Sequence, residues 1–316
     1  MKMGIHDQLF KQLLSRFCWD FIFLFIPTLA KYLTNLFLED GDKEIFDIFG
    51  HKESNHVDVI KNAKDRDGHL QFVIHIEAQA QPQERFADRM FRYYARLQEQ
   101  YSVPVFPIAL FSFKYPKSKQ AAGLKVGFAD LPVLDFRFNI VQLNRLDWRD
   151  YKDNPNPVAI AFLPKMKIGR NERHLVKLNC EKMLAKLNID EEGTRLVGKF
   201  LEVYLPLSAT ELEQYKQEFD KMTQPEKEEI MELYTSWELK GLKQGRIEGF
   251  EQGCLEGKRQ ILLELLADHI QNLNEHVVGL VHKLSEQQLK EFGQSIPALN
   301  SLAEAEEWLA RKVIES

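Results

Sequence analysis

Residues 56–81 read HVDVIKNAKDRDGHLQFVIHIEAQAQ, and this stretch decides the fold. It predicts two strands joined by a turn at Asp65-Arg66-Asp67-Gly68, where Gly68 can take a positive φ. The first strand carries one acid, Asp58, among Val57, Val59 and Ile60. The second, 70–79, is bulky and β-branched and carries Glu77 and Gln79 two residues apart. A period of two puts Val73, His75, Glu77 and Gln79 on one face and Phe72, Ile74, Ile76 and Ala78 on the other. A carboxylate is a poor guest in such an apolar strand unless something pairs with it. One acid from each strand of a hairpin can converge on a divalent cation, and magnesium suits a site of one or two carboxylates and several waters. The bland alternative is a pair of acids on the solvated face of an antiparallel hairpin. A mixed site for a transition metal, built from His56, Asp58, His75 and Glu77, is a third reading.

Before the hairpin, 6–25 has helical spacing of Leu9, Phe10, Leu13, Leu14 and Phe17, with Asp7 at the start, where an acid caps a helix and meets its dipole. Pro27 interrupts it, 29–38 continues as a second helical piece, and 45–50, IFDIFG, reads as a short strand. Beyond the hairpin, Pro82 stops the strand and 84–100 forms a helix with Phe86, Met90, Tyr93, Tyr94 and Leu97 inward. Arg85, Arg89, Arg92 and Arg96 follow at intervals of four, three and four, making one stripe suited to bidentate contact with phosphate. The alternative is a solvated face with Asp88 and Arg92 as an ordinary i,i+4 pair. Residues 103–113 and 133–143 are further strand candidates, so the order is helix, strands, helix, strand: an α/β domain.

Taken in order, HDQLFKQLL (6–14), FIPTLAKYL (25–33), VDV (57–59), HIEAQ (75–79), RMFRYYARL (89–97) and NPVAIAFLPKM (156–166) resemble the PD-(D/E)XK nuclease superfamily. More narrowly, they resemble the Rpn family of recombination-promoting nucleases, also described as transposases. The resemblance covers most of the chain. It implies an αβββαβ restriction-endonuclease core and magnesium- or manganese-dependent hydrolysis of phosphodiester bonds in DNA, with RNA left open. Asp58 and Glu77 are then the metal ligands, Gln79 the third catalytic member, and Asp7 an acid that the first helix could lend to the metal. His75 is placed to touch substrate phosphate. Two positions depart from the pattern: Val57 stands where the superfamily has proline, and Gln79 where it has lysine. Glutamine can hold a water or offer its carbonyl to a metal, but it brings no positive charge.

The whole chain sets the bounds. Its 316 residues suffice for one α/β domain with helical additions, divided here as 1–165, a helical extension 166–224, a glycine-spaced helix 225–258 and a small helical domain 259–316. The net charge of −5 is uneven: from Leu205 onward 12 Lys/Arg face 21 Asp/Glu, against 30 and 26 before it. A basic front and an acidic back suit a catalytic half that faces nucleic acid and a tail that does not. Cys18, Cys180 and Cys254 lie too far apart for a zinc motif, and they fit a reducing cytosol. The apolar run 17–30, broken by Asp20 and Pro27, is too short for a bilayer, so the reading is cytoplasmic with no membrane contact. Phosphate-binding loops, serine-hydrolase elbows and dinucleotide fingerprints do not occur.

Late in the chain, Gly241, Gly245, Gly249, Gly253 and Gly257 recur every fourth residue. Each costs a helix about 1 kcal/mol relative to alanine, so the spacing points to close approach by another helix and self-association. A flexible linker is the alternative. Ser285–Gln288 and Ser301–Glu304 are capping-box patterns. A second functional reading follows from Gln79, the glycines and the acidic tail: a nuclease fold kept as a nucleic-acid-binding, self-associating module.

Overall fold

The structure, a computed structural model, describes residues 5–41, 57–270 and 273–314. The chain divides into two compact units, Met1–Leu233 and Tyr234–Ser316. The strand expected at 45–50 lies outside the described residues.

Three helices open the first unit: α1 (Ile5–Arg16), α2 (Cys18–Phe25) and α3 (Pro27–Tyr32). Pro27 fits at the start of α3, where its missing N–H costs nothing. Phe21, Ile22 and Leu29 are buried, as the apolar run requires. The second helical piece stops short of its expected end at 38. Asn35 takes φ 68°, which a helix does not tolerate, and Phe37–Asp40 forms strand β1 instead.

The hairpin follows as β2 (Val57–Lys64) and β3 (Leu70–Gln79). Its turn is stapled by Asp65, whose Oδ1 accepts from the N–H groups of Asp67 at 3.0 Å and His69 at 2.9 Å, while Gly68 takes φ 84°. Helix α4 (Phe86–Tyr101) crosses over to β4 (Val105–Phe111), which lies parallel to β3. Strands β5 (Gly123–Phe128) and β6 (Leu131–Arg137) form a separate antiparallel hairpin, and β7 (Asn139–Gln142) returns to pair parallel with β4. The result is a mixed five-stranded sheet in the order β1-β2-β3-β4-β7. The strand expected over 133–143 is thus two strands in two sheets, divided at Phe138. Pro107 is tolerated in β4 because β7 pairs only from Ile108 onward, so no ladder donor is lost on that side.

The helices α5 (Pro157–Phe162), α6 (Arg173–Lys186), α7 (Glu191–Tyr204) and α8 (Ala209–Asp220) belong to this unit rather than to a separate extension. Asn156 caps α5 through Val158 and Ala159 and donates to the carbonyl of Asp20, which fixes the NPVAIAF run against α2. Every residue of α5 is buried. Phe10 of α1 packs between Phe162 and Phe200, with ring centroids 5.4 and 5.3 Å away. Removing one such ring costs about 3–5 kcal/mol.

Helix α9 runs unbroken over Gln224–Ile270, so the glycine-spaced segment is helical. The second unit has its own core of Leu266, Val277, Leu280, Val281, Leu289, Phe292 and Leu309, shared with α10 (Glu275–Lys283), α11 (Glu286–Ser295) and α12 (Leu302–Ile314). The Ser285 box caps α11 as expected. At α12, Ser301 accepts from the Glu304 N–H, but the Glu304 carboxylate reaches back to Asn300 rather than to Ser301. Among the described residues no helix is long and apolar enough to cross a membrane.

Candidate functional site

In the β2–β3 ladder Asp58 is the direct cross-strand partner of Glu77. Directly opposed residues of an antiparallel pair share a face, so the hairpin brings both acid positions to one side of the sheet. On the other flank Glu77 neighbours Ala109 of β4, a small residue that leaves room beside the carboxylate. Helix α4 covers this face, with Met90 and Leu97 fully buried. Val73 packs there with Ile60 and Leu97, which identifies the face carrying Val73, His75, Glu77 and Gln79 as the one under α4.

Glu77 is 0 % exposed. Its Oε1 accepts from Nη2 of Arg89 at 2.8 Å, and the same nitrogen donates to Oε1 of Gln79 at 2.6 Å. Nη1 of Arg89 donates to Gln83, and the guanidinium lies over the Phe86 ring, 5.1 Å from its centroid. Arg89 thus bridges two consecutive inward positions of β3 from the helix above. Arg89 is itself buried, so the reading of it as a nucleic-acid contact in an exposed stripe is corrected. Arg85 and Arg92 stay exposed and Arg96 half-buried; the first two border a hollow of about 260 Å³ with Asp88, Phe91 and Leu124. The signal was present in the sequence. At 3.6 residues per turn Arg89 falls only about 60° from Phe86, nearer the apolar face than its three companions.

His75 is also 0 % exposed. Its ring meets Tyr93 edge-on at 5.6 Å between centroids, and Nε2 stands 4.0 Å from Oε2 of Glu77, too far for a hydrogen bond. The expected phosphate contact by His75 is therefore replaced by a packed ring beside the carboxylate. Gln79 is 4 % exposed; its backbone carbonyl accepts from the Ser112 N–H at 3.0 Å and its side-chain carbonyl is taken by Arg89. What Gln79 has left to offer a water or an oxyanion is its amide N–H pair.

Asp7 sits in the first turn of α1, where an acid suits the helix dipole. Its neighbour is Tyr204, whose phenol is pushed up first by burial and then by the Asp7 charge. Among the described residues one cluster has the composition of a metal site: Asp65, Asp67 and His69. It lies at the hairpin turn, where Asp65 accepts from two backbone N–H groups and from Gln71, and these bonds hold its carboxyl below the usual range. Turn stabilisation accounts for it. Comparison with protein-family models, with curated proteins and with solved structures returns no match.

Proposed function

We propose that the sheet and α4 form the catalytic core of a metal-dependent DNA endonuclease of the PD-(D/E)XK kind. The observation that carries this reading is the pairing of Asp58 opposite Glu77 on the α4 side of the sheet. The order helix, three antiparallel strands, helix, parallel strand supports it, because it is the αβββαβ arrangement that the resemblance implies.

An aspartate and a glutamate at opposed register positions of a hairpin supply hard oxygen donors, which fit magnesium or manganese. Asp58 and Glu77 would hold the ion, which supplies an activated water and charge stabilisation on the phosphate's non-bridging oxygens. Oε1 of Glu77 accepts from Arg89, so the guanidinium and the ion would share this carboxylate. Arg89 fixes the carboxylate in place and restores the positive charge that Gln79 lacks. Gln79, held by the same guanidinium, orients a water or a phosphate oxygen through its amide.

A second reading is favoured by one observation: Glu77 is sealed from solvent and neutralised by a buried arginine. That is also how a structural ion pair looks, and it fits a fold that binds nucleic acid without cutting it. Plasmid nicking decides between them. The endonuclease reading expects supercoiled DNA to be nicked with magnesium or manganese, and the activity to vanish in Asp58→Asn and Glu77→Gln. Nicking by both variants at the parent rate, or by none of the three with any divalent ion, removes it.

A further inference from the structure

Beyond the end of β4 a cleft of about 360 Å³ opens between residues 112–117, 164–170, the start of α6 and Tyr204 at the end of α7. Six of its lining side chains are cationic, Lys114, Lys117, Lys165, Lys167, Arg170 and Arg173, and none is acidic. Lys167 pairs at 3.9 Å with Asp147 and Arg173 at 3.2 Å with Glu211. Among the described residues the other four make no ion pair. In a chain with five more acids than bases, a cleft this one-sided is built for an anion.

Lys165 is the lining cation that stands against an aromatic ring of the same cleft. The side chain is half-buried, its ammonium 4.1 Å from the centroid of the Tyr204 ring, with an aromatic face where a carboxylate would be expected. Withdrawing an ammonium from water without a counterion is costly, and an incoming anion would relieve that cost. The cleft floor is firm. Asn144 donates to the carbonyls of Lys114 and Pro116, at 3.2 and 2.9 Å, and so holds the loop that carries Lys114 and Lys117. Ser112, also in the lining, donates its N–H to the carbonyl of Gln79. This bond, with a second from the Ser112 hydroxyl to the same carbonyl at 3.4 Å, joins the cleft to the strand that carries Glu77, at the carboxyl ends of β3 and β4, where open α/β sheets take their ligands.

We propose that this cleft, rather than the arginine row on α4, holds the backbone phosphates of a nucleic-acid strand, with Lys165 as the anchoring cation. The inference rests on the nucleic-acid reading above for the identity of the polyanion, but not on cleavage. Lys167 and Arg173, already paired, set the rim, and the unpaired Lys114, Lys117 and Arg170 give the strand its path.

The test is fluorescence anisotropy of a labelled DNA oligonucleotide with the full chain, titrated at several salt concentrations with calcium in place of magnesium. Lys165→Gln is expected to weaken binding about tenfold and to reduce the log–log salt slope by about one, as loss of one phosphate contact does. The double change Lys114→Gln/Lys117→Gln, at exposed positions that folding does not depend on, is expected to reduce the slope by about two. It carries the test should Lys165→Gln not fold. Arg85→Gln/Arg92→Gln is expected to leave the slope unchanged. The reverse pattern, slope kept in the cleft variants and lost in the α4 pair, overturns the proposal. So does competition by inorganic phosphate as tight as the oligonucleotide, since that describes a site for a single free anion. A chain that binds DNA in this cleft and nicks nothing sinks the endonuclease and leaves the cleft assignment standing.

Discussion

Arg89 reaches down from α4 to place a single guanidinium nitrogen 2.8 Å from Glu77, a carboxylate with no exposure to solvent. Such a pair is weak evidence of net stability, but truncating one partner strands charge in a low-dielectric interior and typically costs about 3–5 kcal/mol. Arg89→Ala is therefore expected to lower the unfolding free energy by about 3 kcal/mol, read from the urea midpoint. In a Glu77→Gln background the same change should cost far less, because no buried charge is left behind. A double-mutant cycle with no coupling between the two positions would show that the contact does not organise the site.

Gln79→Lys restores the residue that the superfamily resemblance leads one to expect, yet the structure predicts harm. The side-chain oxygen of Gln79 lies 2.6 Å from Nη2 of Arg89, so a lysine would press a second cation on a buried guanidinium. Like charges at that separation, out of water, repel strongly. The variant should lose stability in urea and gain no nicking rate. A faster enzyme of undiminished stability would mean that Arg89 does not stand in for the lysine.

The hairpin was legible because its alternation and its Asp-Gly turn are local, and period two fixes which side chains share a face. The opposition of Asp58 and Glu77 follows from the same turn. Three features were not legible for identifiable reasons. Strand β1 is an edge strand of FLED with three of its four residues exposed, so no apolar alternation announced it. The β5–β6 hairpin is exposed along most of its length, and one apolar pattern over 133–143 concealed two strands that join different sheets. Lys165 stood in plain view as a single lysine in the apolar run NPVAIAFLPKM. Its significance depends on Lys114 and Tyr204, which lie tens of residues away and meet it only in the folded chain.

Gly253 and Gly257 lie inside α9, and a methyl group added at either meets nothing within 4 Å. Alanine there should stabilise the helix by about 0.5–1 kcal/mol per site, since the change removes backbone entropy without a clash. Thermal unfolding reads this gain. If the four-residue spacing serves close approach of a second copy, Gly253→Ala/Gly257→Ala should also shift the full chain toward monomer in sedimentation velocity. A raised melting temperature with unchanged sedimentation would assign the glycines no part in association.

The anchoring cation of the basic cleft should make binding depend on pH in a window that ordinary lysines do not reach. Burial alone pulls the Lys165 ammonium from 10.5 down to about 8. Tyr204, whose ring faces it, titrates well above that range and is held by a 2.8 Å hydrogen bond to His6. Folding therefore favours the neutral amine, so between about pH 8 and 10.5 the unfolded chain binds more protons than the native one. The unfavourable contribution of this group is complete below pH 8 and is relieved as pH rises toward 10.5. Phosphate binding has the opposite demand, since it needs the ammonium. Oligonucleotide affinity should hold steady up to about pH 7.5 and then fall by about tenfold in all as pH rises past 8, the full cost of losing the Lys165 cation, as the free protein gives up a proton that the complex retains. Lys165→Arg, charged throughout the range, should flatten this profile while keeping the salt slope of the parent. A parent profile as flat as that of the arginine variant from pH 7 to 9 would remove Lys165 from the contact.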